Sequence, residues 1–173
     1  MTEVTRILAR YVVESKLADI PAAVRREATR SILNWMGCAV GGSRHETLDR
    51  ALAALRPFAG PDQATVLGRQ ERIDVLHGAL LNGISSHVFD FDDTHLKTII
   101  HPAGPVASAI LPLAEYRPVS GAELLHAFIL GDKLPQRRLP EITYHLLAPD
   151  PAFSHPLREV YFRRMEVLDD LGV

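Results

Sequence analysis

A chain of 173 residues, 47% of them hydrophobic, is long enough for one domain with its own core. The formal charge of −2 leaves no basic excess to draw nucleic acid or an anionic membrane, and no window approaches the roughly 20 apolar residues of a membrane span. Cys38 is the single cysteine, which excludes an intrachain disulfide and fits a reducing, cytoplasmic setting. Its place in an apolar helical pattern reads as a buried, inert thiol. Glu3, Arg6, Arg10 and Glu14 interrupt the apolar positions at the N-terminus and argue against a signal-peptide core.

Val4, Ile7, Leu8, Tyr11 and Val12 recur at helical spacing, which predicts an amphipathic helix over about 2–17. Pro21 suits the first turn of a second helix, over about 21–40, with Val24, Ala28, Ile32, Leu33 and Met36 inward. Trp35 and Cys38 extend its apolar surface, and Gly41-Gly42 is expected to end it. A third helix follows over 45–55, with Leu48, Ala51, Leu52 and Leu55 inward. The short run 64–68 reads as extended but too isolated to imply a sheet. A long helix is expected over 72–89, with Val75, Leu76, Ala79, Leu80, Ile84 and Val88 apolar. Pro105 opens another to Tyr116, which Pro112 must kink or restart. Ser120 and Glu123 have capping-box spacing before a helix carrying Leu124, Leu125, Phe128 and Ile129, which Gly131 is expected to end. From Lys133 the texture changes to a Pro- and Arg-rich tail with a C-terminal helix expected over about 156–171. The sequence thus reads as an all-α, multi-helix domain over 1–132 and a divergent segment over 133–173.

Chemistry concentrates in LLNGISSHVFDFDDTHLKTIIHPAGPVASAILPLAE, residues 80–115, where Asp90, Asp92 and Asp93 stand among His87, His95 and His101, with Thr94 and Lys97 between. Three readings are open. Aspartate and threonine cap helices and stabilise loops, although three carboxylates in four positions repel one another. Carboxylates and histidines could ligate a divalent metal, but the spacing fits neither HExxH nor an EF-hand loop. Coupled carboxylates beside a histidine could also perform cofactor-free acid–base chemistry, removing an activated C–H proton with loss of water or carbon dioxide. Lys97, His95 and His101 could then counter a polycarboxylate substrate.

Several segments carry a resemblance: Ser31-Ile32-Leu33-Asn34-Trp35-Met36-Gly37-Cys38-Ala39-Val40-Gly41-Gly42-Ser43, Ala79-Leu80-Leu81-Asn82-Gly83, Asp90-Phe91-Asp92-Asp93-Thr94-His95, His101-Pro102 and Pro112-Leu113-Ala114-Glu115. Together they resemble the N-terminal helical domain of the MmgE/PrpD family, over about three quarters of the chain. That family includes 2-methylcitrate dehydratase, an enzyme of propionate metabolism, cis-aconitate decarboxylase and iminodisuccinate epimerase. The resemblance implies a lyase acting on small polycarboxylates, a homodimer, and no metal or other cofactor. It also implies a site between the helical domain and a smaller α+β lid. By the same likeness His101 is the acid/base candidate and Asp90 orients or activates it, while Thr94 hydrogen-bonds a substrate carboxylate. Asp93, Lys97 and His87 are further substrate-binding candidates. Asn82-Gly83 reads as a packing and turn feature, and His126 as structural.

The family's GYEV…RIG helix is replaced here by Gly131-Asp132-Lys133-Leu134-Pro135-Gln136-Arg137-Arg138. The lid and the second half of the helical domain have no counterpart in the 173 residues. Helices from Arg72 onward are therefore expected to leave apolar faces uncovered, which favours association. The alternative to an active lyase is a non-catalytic helical module that pairs with itself or with a complementary fragment.

Overall fold

The computed structural model describes residues 3–95 and 100–132. Lys97 and the tail from 133, with its expected helix, lie outside the described residues. Within them the chain is a mostly α, multi-helix domain with one small hairpin. In order these are α1 (Glu3–Glu14), α2 (Ala22–Gly42), α3 (Glu46–Leu55), β1 (Ala64–Thr65), β2 (Arg72–Ile73), α4 (Val75–His87), α5 (Ala103–Tyr116) and α6 over 121–132. None of the described helices is long and apolar enough to cross a membrane.

Local chemistry sets the helix starts. His45 Nδ1 accepts the Thr47 N–H at 3.2 Å before α3. Asp74 Oδ1 accepts the N–H groups of Leu76 and His77 at 3.1 and 3.2 Å before α4. The capping box forms as expected: the Ser120 N–H donates to Glu123 Oε2 at 2.8 Å, and the Glu123 N–H donates to Ser120 Oγ at 3.2 Å.

α4 packs against both α2 and α5 and forms the centre of the domain. One apolar cluster gathers Trp35, Ala28, Ala103, Ala107, Phe128 and Ile129 from α2, α5 and α6. A second joins Leu48, Val66, Ile73 and Leu81, seating the hairpin between α3 and α4. Polar groups fasten the hairpin. Buried Asn82 accepts the Leu67 N–H at 2.9 Å and donates to the Thr65 carbonyl at 3.0 Å. Glu115 accepts the Thr65 N–H at 2.7 Å and pairs with Arg72 at 3.4 Å. His126 on α6 meets Ser15 Oγ at 3.1 Å, a structural tie between the two ends of the described chain.

Several expectations are corrected. Gly41 and Gly42 do not end α2 by left-handed conformation; both lie inside the helix, and Gly68 is the glycine with positive φ, at 74° in the hairpin turn. Gly42 is there for close approach: a Cβ would overlap the Ser85 carbonyl oxygen and stand 2.7 Å from Val88 Cγ1. The inner face of α2 is Ala28, Trp35, Ala39 and Gly42, while Leu33 and Met36 are exposed. Arg72 and Ile73 are not helical; they pair antiparallel with Thr65 and Ala64, so the start of the run 64–68 does belong to a small sheet. Asn82-Gly83 lies mid-helix, not in a turn. α5 continues through buried Pro112 as one helix and does not restart there, and α6 runs on through Gly131. Ile7, Tyr11 and Val12 of α1 are more than a third exposed, because periodicity fixes which face is apolar and not what covers it.

Asp74 gives an acid-stability prediction. Burial alone would raise its pKa. The His77 side chain at 2.6 Å and the N–H groups of His77 and Gly60 outweigh burial and hold it at about 2, below 3.8. A depressed carboxyl contributes its stability in full above the unfolded value and loses it as pH falls toward 2, here on the order of 2 kcal/mol. Asp74→Ala should lower the melting temperature at pH 7 and flatten the loss between about pH 4 and 2. Thermal melts across that range check this.

Candidate active site

The site forms where α4 hands the chain to the acidic loop. Asp90 takes a φ of 57°, a left-handed turn that aspartate tolerates better than most residues, and its N–H donates to the His87 carbonyl at 2.9 Å. That turn places neighbouring carboxylates in opposite surroundings. The Asp90 side chain is 76% exposed, whereas that of Asp92 is 1% exposed. Further on, the His95 N–H donates to the Ile100 carbonyl at 2.9 Å, and this bridge returns the chain so that His101 falls back on the acidic loop. The buried start of α5 then closes the site, with the Ala103 N–H donating to Asp93 Oδ1 at 3.2 Å.

His101 stands between two carboxylates. Its Nε2 lies 3.5 Å from Asp90 Oδ1, and its Nδ1 lies 3.4 Å from Asp92 Oδ1. His87 Nδ1 lies 3.0 and 3.1 Å from the two oxygens of Asp92. The rings of His87 and His101 meet edge to face with centroids 4.8 Å apart. Burial above all, then the negative charges of Asp132 and Asp92, pushes the Asp93 carboxyl up; the Ala103 N–H and His101 offset this only in part. A raised carboxyl opposes folding above its folded pKa, and that opposition vanishes below the unfolded value. Asp93→Asn keeps an acceptor for Ala103 and removes the charge, so it should raise the melting temperature at pH 7 by a few degrees and change it little at pH 3. Melts at the two pH values check this.

Of the residues expected from sequence, the structure brings together His101, Asp90, His87 and Asp93. Thr94 is exposed on the loop, and Lys97 lies outside the described residues. Asp92, absent from that set, is the carboxylate in contact with both rings. The acidic run was its only sequence signal, and spacing does not say which of three aspartates turns inward. Cys38 is half-buried; burial first, then Asp92 and Asp93, pushes its thiol up and keeps it protonated, in line with an inert side chain.

Single donor atoms of His87, Asp90, Asp92 and His101 fall within 4.8 Å of one another. They are the right atom types for a divalent cation, but bonds of about 2.1 Å set neighbouring ligands of a tetrahedral centre only about 3.4 Å apart. Beside the quartet, α2 and the acidic loop form an open groove of about 600 Å³, lined by Arg30, Leu33, Cys38, Ser86, Phe89 and Phe91 among others.

Residues 6–135 match the family model described as the MmgE/PrpD N-terminal domain. The human cis-aconitate decarboxylase is 30% identical over 145 residues, 80% of this chain and 30% of that protein. The mouse cis-aconitate decarboxylase is 29% identical over 143 residues, 79% of this chain and 29% of that protein. The cis-aconitate decarboxylase-like protein oryM of Aspergillus oryzae is 29% identical over 135 residues, 74% of this chain and 28% of that protein. The chain thus spans less than a third of the length of these relatives. With the family model covering most of its residues, the chain belongs to the MmgE/PrpD family.

Proposed function

We propose that this chain carries the acid–base part of a lyase site for small polycarboxylates, of the cis-aconitate or 2-methylcitrate kind. The observation that carries this reading is His101 held between exposed Asp90 and buried Asp92. In a decarboxylation, the C–CO₂ bond breaks, its electron pair passes into the conjugated carbon frame, and His101 delivers to carbon a proton it has taken from solvent as CO₂ leaves. In a dehydration, His101 takes the C–H proton and hydroxide departs with a proton from a neighbouring acid. Asp90 activates the imidazole by placing its negative charge beside Nε2. Thr94, Asp93, Lys97 and His87 contact the substrate, and no metal or other cofactor takes part. The names of the relatives favour the decarboxylation. An assay of the full chain for CO₂ release from cis-aconitate tests this. Release by the wild-type protein that is lost in His101→Gln supports it; no release from cis-aconitate and no water loss from 2-methylcitrate argues against it.

A second reading, a module that assembles with another copy or a complementary fragment, is favoured by one observation. Leu33, Val40, Phe89 and Phe91 are 69, 50, 48 and 76% exposed, and three of them line the groove. A homodimer is the expected assembly under either reading. Sedimentation should show a dimer for the wild-type chain and a monomer for Phe91→Asp; a wild-type monomer at tens of micromolar would remove it.

A further inference from the structure

Asp92 sits at the centre of the site, yet it is too enclosed to meet a substrate: its side chain is 1% exposed. The start of α5 lies against it, where a Cβ on Gly104 would stand 3.5 Å from Oδ2. Both imidazoles point the same ring atom at it. Nδ1 of His87 is 3.0 Å from Asp92 Oδ1, and Nδ1 of His101 is 3.4 Å from that same oxygen. His101 Nδ1 is buried and makes no well-aligned hydrogen bond, with the Asp92 carboxylate beside it as an acceptor. A carboxylate accepts only, so the ring atom facing it is favoured as N–H. Nε2 of His101 also faces a carboxylate, Asp90 at 3.5 Å, but that side chain is 76% exposed and solvated, so it sets the tautomer less than Asp92, which is 1% exposed.

We infer that Asp92 is a positioning residue for both histidines: as the buried acceptor facing both Nδ1 atoms it favours each neutral ring as the Nδ1–H tautomer, and leaves Nε2 of His101 to exchange the proton with substrate. The assignment of Nε2 as the reacting nitrogen rests on the proposed lyase function; the tautomer does not. One acceptor shared by two rings also accounts for their edge-to-face contact at 4.8 Å, since both must turn the same edge toward Asp92. An asparagine at this position has the same shape, but its amide can turn N–H₂ toward the ring and favour the opposite tautomer. In a Ser-His-Asp triad such a change leaves the geometry intact and lowers kcat by about 10⁴ through the wrong tautomer.

The test is the imidazole ¹⁵N spectrum of the full chain, labelled at histidine and recorded at pH 8. Wild-type His101 and His87 should both show Nδ1–H, with Nε2 unprotonated. In Asp92→Asn, His101 should shift toward Nε2–H. If the wild-type chain turns over cis-aconitate, kcat should fall by about 100-fold or more with KM little changed. An Nε2–H tautomer at wild-type His101 overturns the inference without any variant. An unaltered Nδ1–H signal in a folded Asp92→Asn also overturns it. Absent turnover in the wild-type chain counts against the proposed function alone, because the spectrum reads Asp92 independently of substrate.

Discussion

Trp35→Ala should destabilise the domain by about 3–5 kcal/mol, a large part of the roughly 5–15 kcal/mol that holds a domain folded. Trp35 is the largest fully buried side chain, 1% exposed at the junction of α2, α5 and α6. Its cluster partners include Ala28, Ala103 and Ala107, whose methyl groups cannot reach into the space an indole leaves. The cost of a cavity depends on how far its walls can collapse, so a wall rich in alanines places the cost near the top of the range. The indole N–H also donates to buried Ser108 Oγ at 3.1 Å. Trp35→Phe should therefore cost less, about 1–3 kcal/mol, through lost volume and an orphaned hydroxyl. Guanidinium denaturation resolves both; a midpoint for Trp35→Ala equal to that of wild type would mean this junction is not the core.

His101→Gln should lower turnover of a polycarboxylate by about 10²–10⁴-fold while the fold melts almost as before. Glutamine nearly matches the reach of the imidazole and keeps polar atoms near Asp90 and Asp92. It cannot take up and release a proton near neutral pH, which is the property the proposed reaction needs. The ring is about a quarter exposed, between Asp90 in solvent and Asp92 in the interior, so its removal opens no large apolar cavity. A substantial drop in rate with the melting temperature preserved separates a chemical role from a structural one. Equal turnover by the variant would move the acid–base role to another group, with His87 as the nearest candidate.

Helix identity was legible where local rules act alone. Ser120 and Glu123 announce their capping box in two letters, and the structure forms it bond for bond. The start of α4 was harder, because Ile73 continues the apolar spacing of Leu76 and Leu80 and reads as part of one long helix. The start signal was Asp74, whose side chain caps the helix and leaves Ile73 to pair with Ala64. The face of α2 was misread for a related reason. Hydrophobic side chains at Leu33 and Met36 suggested burial, but α4 comes so close that the contact surface belongs to Ala39 and Gly42. Small residues mark tight packing only once the partner is known. At the site, the grouping of aspartates and histidines was visible in the chain, whereas the inward turn of Asp92 depends on the left-handed step at Asp90 and the closure by α5, both products of tertiary structure.

A titration of ¹⁵N-histidine protein with cis-aconitate tests the proposed polycarboxylate site most directly, because the histidines supply their own controls. His45 caps α3, His77 pairs with Asp74, and His126 meets Ser15, all in structural roles. The expected result is a saturable shift of the His101 and His87 signals with those three unmoved. Signals that do not move, or that drift together across all five histidines, would contradict a polycarboxylate site at His101.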